Sequence, residues 1–283
     1  MTTTSFPPAL LRAAPAAELV YSSLAFHARP PRFELPGIWL VQALGSIGAA
    51  PSAVRQALFR MEREGHLASR REGKLKWYRL TASGTAQIEA GRERLRRRSA
   101  PEWDGGWTLV SASFPGGRRR QRLQLGAVLD ARGYGRLHEG IRIHPHDDPA
   151  ALRKLVRSIG LAAEVHIFRG RLAGDDDRAL VAGAFPLRPI AAGYTRFVTR
   201  FGSLAGTVQS DDRAWFALRL AVAHHYLGAA WDDPGLPLAT LPAKWPASRA
   251  QRLADRLYRR ASDPARRYAA SIARRLELQW PAQ

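Results

Sequence analysis

Residues 36–80 read PGIWLVQALGSIGAAPSAVRQALFRMEREGHLASRREGKLKWYRL. Ile38, Leu40, Val41 and Leu44 predict a helix from about Pro36 to Gly45 with an apolar core stripe. Gly48 breaks the chain, and Ser52 is placed to cap a further helix ending near Gly65, a residue suited to a left-handed stop. At about 100° per residue, Val54, Ala57, Leu58 and Met61 share one arc of that helix, which is expected to be buried. Ser52, Gln56, Phe59 and Arg63 lie opposite, flanked by Arg55 and Arg60. Helix, short turn, helix is a supersecondary pattern of DNA-binding proteins. The outer face offers the residue types that bond guanine edges, adenine edges and phosphates. Phe59 has two readings, contact with a thymine methyl or sugar and packing on a neighbouring element. Leu67–Glu72 and Leu75–Leu80 flank Gly73 as a β-hairpin with a basic tip, a wing. Its Arg71, Lys74 and Lys76 either reach backbone phosphate and minor groove or simply solvate an exposed hairpin. Upstream, Glu18 to Ala28 is a short helical pattern stopped by Pro30-Pro31. Residues 16–85 are therefore expected to form a winged helix-turn-helix domain.

The formal charge of +20 over 283 residues makes a polyanion the expected partner. Of 44 basic residues only Lys74, Lys76, Lys154 and Lys244 are lysine, a bias that a GC-rich genome also produces. Position therefore says more than total: between Ser52 and Leu80, eight basic residues stand against three acids. Apolar residues at 46% are ample for burial, and the length suggests two or three domains. The chain has no cysteine, which excludes a disulfide framework, a thiolate zinc site and a cysteine nucleophile. Met1 to Pro15 lacks a basic start followed by an apolar stretch, and no later segment excludes charge long enough to span a bilayer. Residues 1–15 are expected to be a disordered leader on a soluble, cytoplasmic protein with no membrane partner.

Beyond the helix-turn-helix, separated motifs recur in a fixed order. They are Val54-Arg55, Ala57-Leu58, Arg60, Glu64-Gly65-His66-Leu67 and Trp77-Tyr78-Arg79-Leu80-Thr81, then Trp103-Asp104-Gly105-Gly106-Trp107. Gly133-Tyr134-Gly135-Arg136-Leu137 and Gly140-Ile141 follow. Near the end stand His224-His225-Tyr226, Asp233-Pro234-Gly235-Leu236-Pro237, Leu241-Pro242, Trp245-Pro246 and Leu257-Tyr258-Arg259. In these residues nearly the whole chain resembles the phenylacetic-acid-degradation repressors, the PaaX-like family. It departs from them at His225-Tyr226-Leu227, where the family usually shows Glu-Tyr-Arg after the histidine. The resemblance implies a homodimeric repressor of double-stranded operator DNA, released by an aromatic acyl-CoA, typically phenylacetyl-CoA. It also implies a central ferredoxin-like domain, shared with a CRISPR spacer-acquisition nuclease subunit and used here for dimerisation.

Glu89 to Ser99 carries five arginines and reads, within 86–102, as a basic linker, either a further phosphate contact or a solvated hinge. From Trp107 the pattern is strand to Phe114, helix 119–132, strand 137–143, helix 149–159 and strand 164–169. That alternation suits a split βαβ, ferredoxin-like unit over 103–184. A nuclease of the related kind would want a metal-binding carboxylate at the end of the first strand, where Ser113-Phe114-Pro115 stand. Gly116-Gly117 precedes Arg118, Arg119 and Arg120, cations at a helix N-terminus that is already positive. An anion such as a phosphate of a coenzyme A thioester or of DNA would relieve them; the other reading is solvent, or carboxylates across the dimer. Asp148 before Pro149 reads as a helix cap rather than part of a metal loop with His144 and His146, and Asp175-Asp176-Asp177 as a turn. Residues 185–283 are expected to be an all-α domain with helices near 190–201, 211–227, 248–260 and 264–278. There Trp215, Val222 and Tyr226 share a face with Arg219, either core with a structural ion pair or an effector wall.

The fold class expected is thus α+β and multidomain. The function expected is a DNA-binding transcriptional repressor of a catabolic, aromatic-acid operon, without catalytic residues, metal or cofactor, and with an aryl-acyl-CoA or aromatic-acid effector. A nucleic-acid-cleaving enzyme and a sequence-neutral architectural binder are the alternatives, and no nucleophile elbow, phosphate loop or dimetal spacing joins the available serines, histidines and aspartates.

Overall fold

The structure, a computed structural model, describes residues 3–4, 10–11, 14–28, 32–86, 88–89, 103–114, 118–146, 148–174, 176–231 and 233–278. The chain begins with β1 (Thr3–Thr4), α1 (Ala16–His27), β2 (Leu35–Pro36), α2 (Gly37–Gly45), α3 (Pro51–Arg63), β3 (Leu67–Glu72) and β4 (Leu75–Leu80). It continues through β5 (Trp107–Ala112), α4 (Arg119–Ala131), β6 (Gly135–His138), β7 (Ile141–His144), α5 (Pro149–Ser158) and β8 (Val165–Gly170). It ends with α6 (Asp177–Ala184), α7 (Leu187–Phe201), β9 (Val208–Gln209), α8 (Asp212–Trp231) and α9 (Ala247–Arg275). Contacts define two compact units, one of Met1–Arg92, Tyr194–Gly228 and Ala247–Gln283, the other of Glu93–Gly193 and Ala229–Pro246. The stretch read as one helical domain over 185–283 is divided between them. Among the described residues no helix is long and apolar enough to cross a membrane.

In the first unit, short N-terminal helices share a core with long C-terminal ones. α1 buries Leu19, Val20 and Leu24, α2 buries Trp39, Leu40, Ala43 and Leu44, and α3 buries Val54, Ala57, Leu58 and Met61. Trp39 is fully enclosed, and its indole Nε1 donates to the Ala269 carbonyl of α9 at 3.0 Å. Its ring lies 5.5 Å from that of His27 and meets Phe216 edge-on at 6.5 Å. α9 allows this close approach because Ala250, Ala254, Ala261, Ala265, Ala269 and Ala273 form a ridge of fully buried small side chains.

Several expectations are corrected here. The α2 stripe is rotated from the expected Ile38, Leu40, Val41 and Leu44: Ile38 is 45% exposed, whereas Trp39 and Ala43 go inside. A buried indole needs an acceptor, and Ala269 supplies it. Ser52 does not cap α3; Ala50 holds that position and Pro51 opens the helix, where its missing N–H costs nothing. The two helices expected at 248–260 and 264–278 are one, because packing along the alanine ridge carries α9 through Pro264. Residues 1–15 are partly ordered: Thr3–Thr4 pairs in parallel with Val208–Gln209, Leu11 is buried, and the Leu10 carbonyl lies 2.9 Å from His225 Nε2. β9 also interrupts the all-α reading of the C-terminal stretch.

The second unit is a β-α-β-β-α-β sheet in the order β6-β7-β5-β8, antiparallel throughout, which is the ferredoxin-like order. Val110 and Val165 pack with Leu125, Leu129, Leu152 and Val156 of α4 and α5 on one face. Trp107 and Ile143 pack with Val181, Phe185, Leu236 and Leu241 on the other. The single strand expected over 137–143 is instead the hairpin β6–β7. It turns at Gly140, whose φ is +76° and where a Cβ would stand 2.6 Å from the Ala112 carbonyl oxygen. The aspartates act as caps: Asp148 accepts from the Ala150 and Ala151 amides at 2.8 and 3.3 Å, and Asp176 from the Ala179 amide at 2.7 Å. Asp147, Asp175 and the Pro30-Pro31 stop lie outside the described residues, as does nearly all of the expected linker.

Trp39→Phe removes the donor to Ala269 while keeping an aromatic ring. It is expected to cost about 1–3 kcal/mol, seen as a lower urea midpoint with little change of slope.

Candidate nucleic-acid interface

Thirteen residues of α3 divide cleanly by burial. Ser52, Arg55, Gln56, Phe59, Arg60 and Arg63 are all exposed, opposite the buried Val54, Ala57, Leu58 and Met61. Phe59 is 66% exposed, so among the described residues most of its side chain faces outward rather than into a neighbouring element. Arg55, Arg60 and Arg63 form no ion pair with any described residue. The helix stops at Gly65, where φ is +74° and the His66 amide returns to the Met61 carbonyl at 2.8 Å.

β3 and β4 pair in register from Leu67 opposite Leu80 to Glu72 opposite Leu75, around a two-residue turn at Gly73-Lys74. β2 adds a third strand on β4, Leu35 opposite Tyr78, which the sequence reading missed because two residues are too few to show a period. At the tip, Arg71 and Lys74 are exposed and unpaired among the described residues. Lys76, expected to reach toward phosphate with them, is placed otherwise. Its ammonium bonds Glu62 Oε2 of α3 at 2.7 Å and lies 5.1 Å from the Tyr78 ring. Ser69 of β3 bonds the other Glu62 oxygen. Glu62 thus ties the hairpin to the exposed helix, a role the sequence signalled only as an acid among bases. Arg70, facing Trp77 across the ladder, bonds Glu34 at 2.7 Å and Glu72 at 2.8 Å and braces the base of the same sheet. What remains outward is a cationic, aromatic and amide surface on α3 and a cationic hairpin tip, a chemistry that suits phosphates and base edges.

The expected effector residues are not brought together. Arg118 pairs with Glu164, Arg119 and Arg120 are exposed, and the Gly116-Gly117 turn lies outside the described residues. Trp215 and Tyr226 are buried, at 8% and 5% exposure. Tyr226 packs 5.3 Å from Phe197, and Trp215 lies under Arg260, whose guanidinium donates to the carbonyls of Ala205 and Thr207. Arg219 sits 3.3 Å from the Phe26 ring centroid and 4.9 Å from that of Tyr258, and donates to the Tyr258 carbonyl at 3.4 Å. With Trp215 and Tyr226 buried and Arg219 set among aromatic faces, the Tyr258 carbonyl and the Ser262 hydroxyl, this stripe packs as core, the first of its two expected readings.

Hydrogen bonds from Lys76 and Ser69 hold the Glu62 carboxyl below its ordinary value. For a depressed carboxylate the stabilisation is complete above the ordinary value of about 4.3 and is lost as pH falls through the lowered one. Amide protection along β3 and β4 is therefore expected to fall below about pH 4. In Glu62→Gln it should be weaker at neutral pH and no longer follow this titration, a difference that hydrogen exchange measures directly.

Residues 28–84 match the PaaX-like protein family model, 100–182 the PaaX protein central Cas2-like domain, and 185–271 the PaaX-like protein C-terminal domain. The transcriptional repressor PaaX of Escherichia coli (strain K12) is 28% identical over 241 residues, covering 81% of this chain and 75% of that protein. Among solved structures, the uncharacterized protein Rv0674 from Mycobacterium tuberculosis is similar at a TM-score of 0.63 and 22% identity, across 91% of this chain and 98% of that one. That likeness concerns the fold alone. With three domain models matched in chain order and a relative spanning most of its length, the chain belongs to the PaaX-like family.

Proposed function

We propose that the chain is a transcriptional repressor that binds operator DNA as a homodimer and lets go when a metabolite binds. The observation that carries this reading is the outer face of α3, six exposed residues including three arginines with no ion pair among the described residues, on a chain similar to a named repressor. In this reading α1, α2, α3 and the β2–β4–β3 sheet are a winged helix-turn-helix. α3 enters the major groove, Arg55, Gln56, Arg60 and Arg63 read base edges or phosphates, and Phe59 meets a thymine methyl. Ser52 and the wing residues Arg71 and Lys74 hold the sugar-phosphate rail. Lys76 contributes by fixing the wing to α3 through Glu62.

The central domain serves dimerisation, which sets two recognition helices about 34 Å apart on a two-fold symmetric site. An aryl-acyl-CoA or aromatic acid then favours a state whose helices no longer match that site. The regulated genes belong to aromatic-acid catabolism, and the protein works in the cytoplasm. The chain binds rather than cleaves: β5 leads into Ser113 and Phe114, and Phe114 packs on the domain core where a nuclease would hold a metal-binding carboxylate.

Gel shifts on DNA from upstream of the chain's own gene, against random DNA and across salt concentrations, test the proposal. Arg63→Ala is expected to lose about 10- to 100-fold on operator and less on random DNA. Lys74→Ala should weaken both alike and flatten the salt slope by about one. Equal losses for Arg63→Ala on both DNAs would remove α3 as the reading element.

A further inference from the structure

A cleft of about 710 Å³ opens in the first unit between α2, the start of α8 and the end of α9. Its position is set by the Trp39–Ala269 hydrogen bond. Gln42 of α2 and Ser46 just past its end line it beyond Trp39; Ile272 of α9 and Leu276 just past its end line it beyond Ala269. The two helices touch at the indole and part below it.

Asp211 and Asp212 stand against Arg213, Arg275 and the Arg267 that binds Asp212, which leaves one guanidinium in excess around the cleft. Asp212 is held by Arg267, whose Nη2 and Nε approach its two oxygens at 2.7 and 2.9 Å. Asp211 accepts from the Ala214 amide at the start of α8, at 2.7 Å, and keeps its charge. Arg213 and Arg275 also line the cleft, and neither forms an ion pair with any described residue. Arg213 stands in the first turn of a 20-residue helix whose positive end is already met by Asp211 and Asp212, so an incoming anion is drawn by the excess of guanidinium groups rather than by the dipole. Beside these cations, Tyr268, Ile272 and Leu276 make an apolar wall. Arg275 leans toward Tyr268, 6.0 Å from its ring centroid.

We propose that this cleft is the effector site, taking an organic anion with an apolar body, its charge held by Arg213 and Arg275 and its body laid along Tyr268, Ile272 and Leu276. This rests on the reading of the chain as a ligand-released repressor and gives that release a place. Ser46 ends α2, donating from its hydroxyl to the Ala43 carbonyl at 2.7 Å, and its chain runs directly into the turn that delivers α3. A ligand seated between α2 and α9 therefore acts on the reading helix through a single turn of backbone. The aromatic stripe of α8 is excluded from this role because it is filled from within.

The full chain is titrated by calorimetry with phenylacetate, with its coenzyme A thioester, and with inorganic phosphate as a charge without a body. Gel shifts on operator DNA are run in parallel. Arg213→Ala and Arg275→Ala are each expected to weaken binding of the organic anion about tenfold or more, and Arg274→Ala, one residue outside the cleft, to leave it unchanged. All three should grip operator as the parent does without ligand. Which of the two organic probes binds separates a free acid from a thioester. Parent binding that all three variants retain would place the effector elsewhere and overturn the cleft, leaving the repressor reading intact. Binding of inorganic phosphate as tightly as either organic probe would also overturn it, as would operator binding with no uptake of any probe. Failure to bind operator at all would instead sink the underlying function.

Discussion

Helices of nine and thirteen residues do not persist on their own, because nucleation consumes most of what a few backbone hydrogen bonds return. α2 and α3 therefore need a surface to rest on, and the surface comes from the far end of the chain. Trp39 inserts against α9 and hands its indole proton to the Ala269 carbonyl. The alanine ridge of α9 permits this contact, since larger side chains would hold the two backbones apart. With α2 fixed, the Ser46–Ala50 turn is fixed, and so is the direction in which α3 presents its cations. Everything functional in the first unit is downstream of that one contact.

The chain also shows how an arginine-rich composition is partitioned. One group of guanidinium groups is used internally. Arg219 lies over Phe26, Arg260 over Trp215 and Arg70 near Trp77, each with hydrogen bonds to carbonyls or carboxylates. A planar, weakly hydrated cation can stack on a ring and still donate in its own plane, which an ammonium cannot do as well. The other group, on α3 and the hairpin tip, faces outward and forms no ion pair with any described residue. Net charge alone does not distinguish the two groups, and of these two the second is the one open to a polyanion.

What the sequence revealed follows from how local each signal is. α3 was legible because its polar and apolar residues separate at the helical period, and the hairpin because Gly73 divides two alternating runs. The Asp148 cap was legible for the same reason, being settled within three residues, whereas Asp175-Asp176-Asp177 read as a turn and the cap by Asp176 emerged only from the coordinates. α2 was misread because GIWLVQALG is apolar in almost every direction, and the face that goes inside is chosen by a partner 230 residues away. Pro264 suggested a break that tertiary packing overrides. Lys76 looked like its neighbour Lys74, yet Glu62 on another element claims it. The aromatic stripe of α8 carries the same pattern whether it lines a cavity or fills a core, and only coordinates decide between them.

The brace on α2 carries a consequence for biosynthesis. A ribosome releases residues 36–63 long before it releases 247–275, so the reading helices emerge without the support that α9 later gives them. A nascent or prematurely terminated chain lacking α9 presents α2 without the acceptor for Trp39 and without the alanine ridge that encloses it. The enclosure of the shortest helix of the N-terminal region is thus the last part of the core to be supplied.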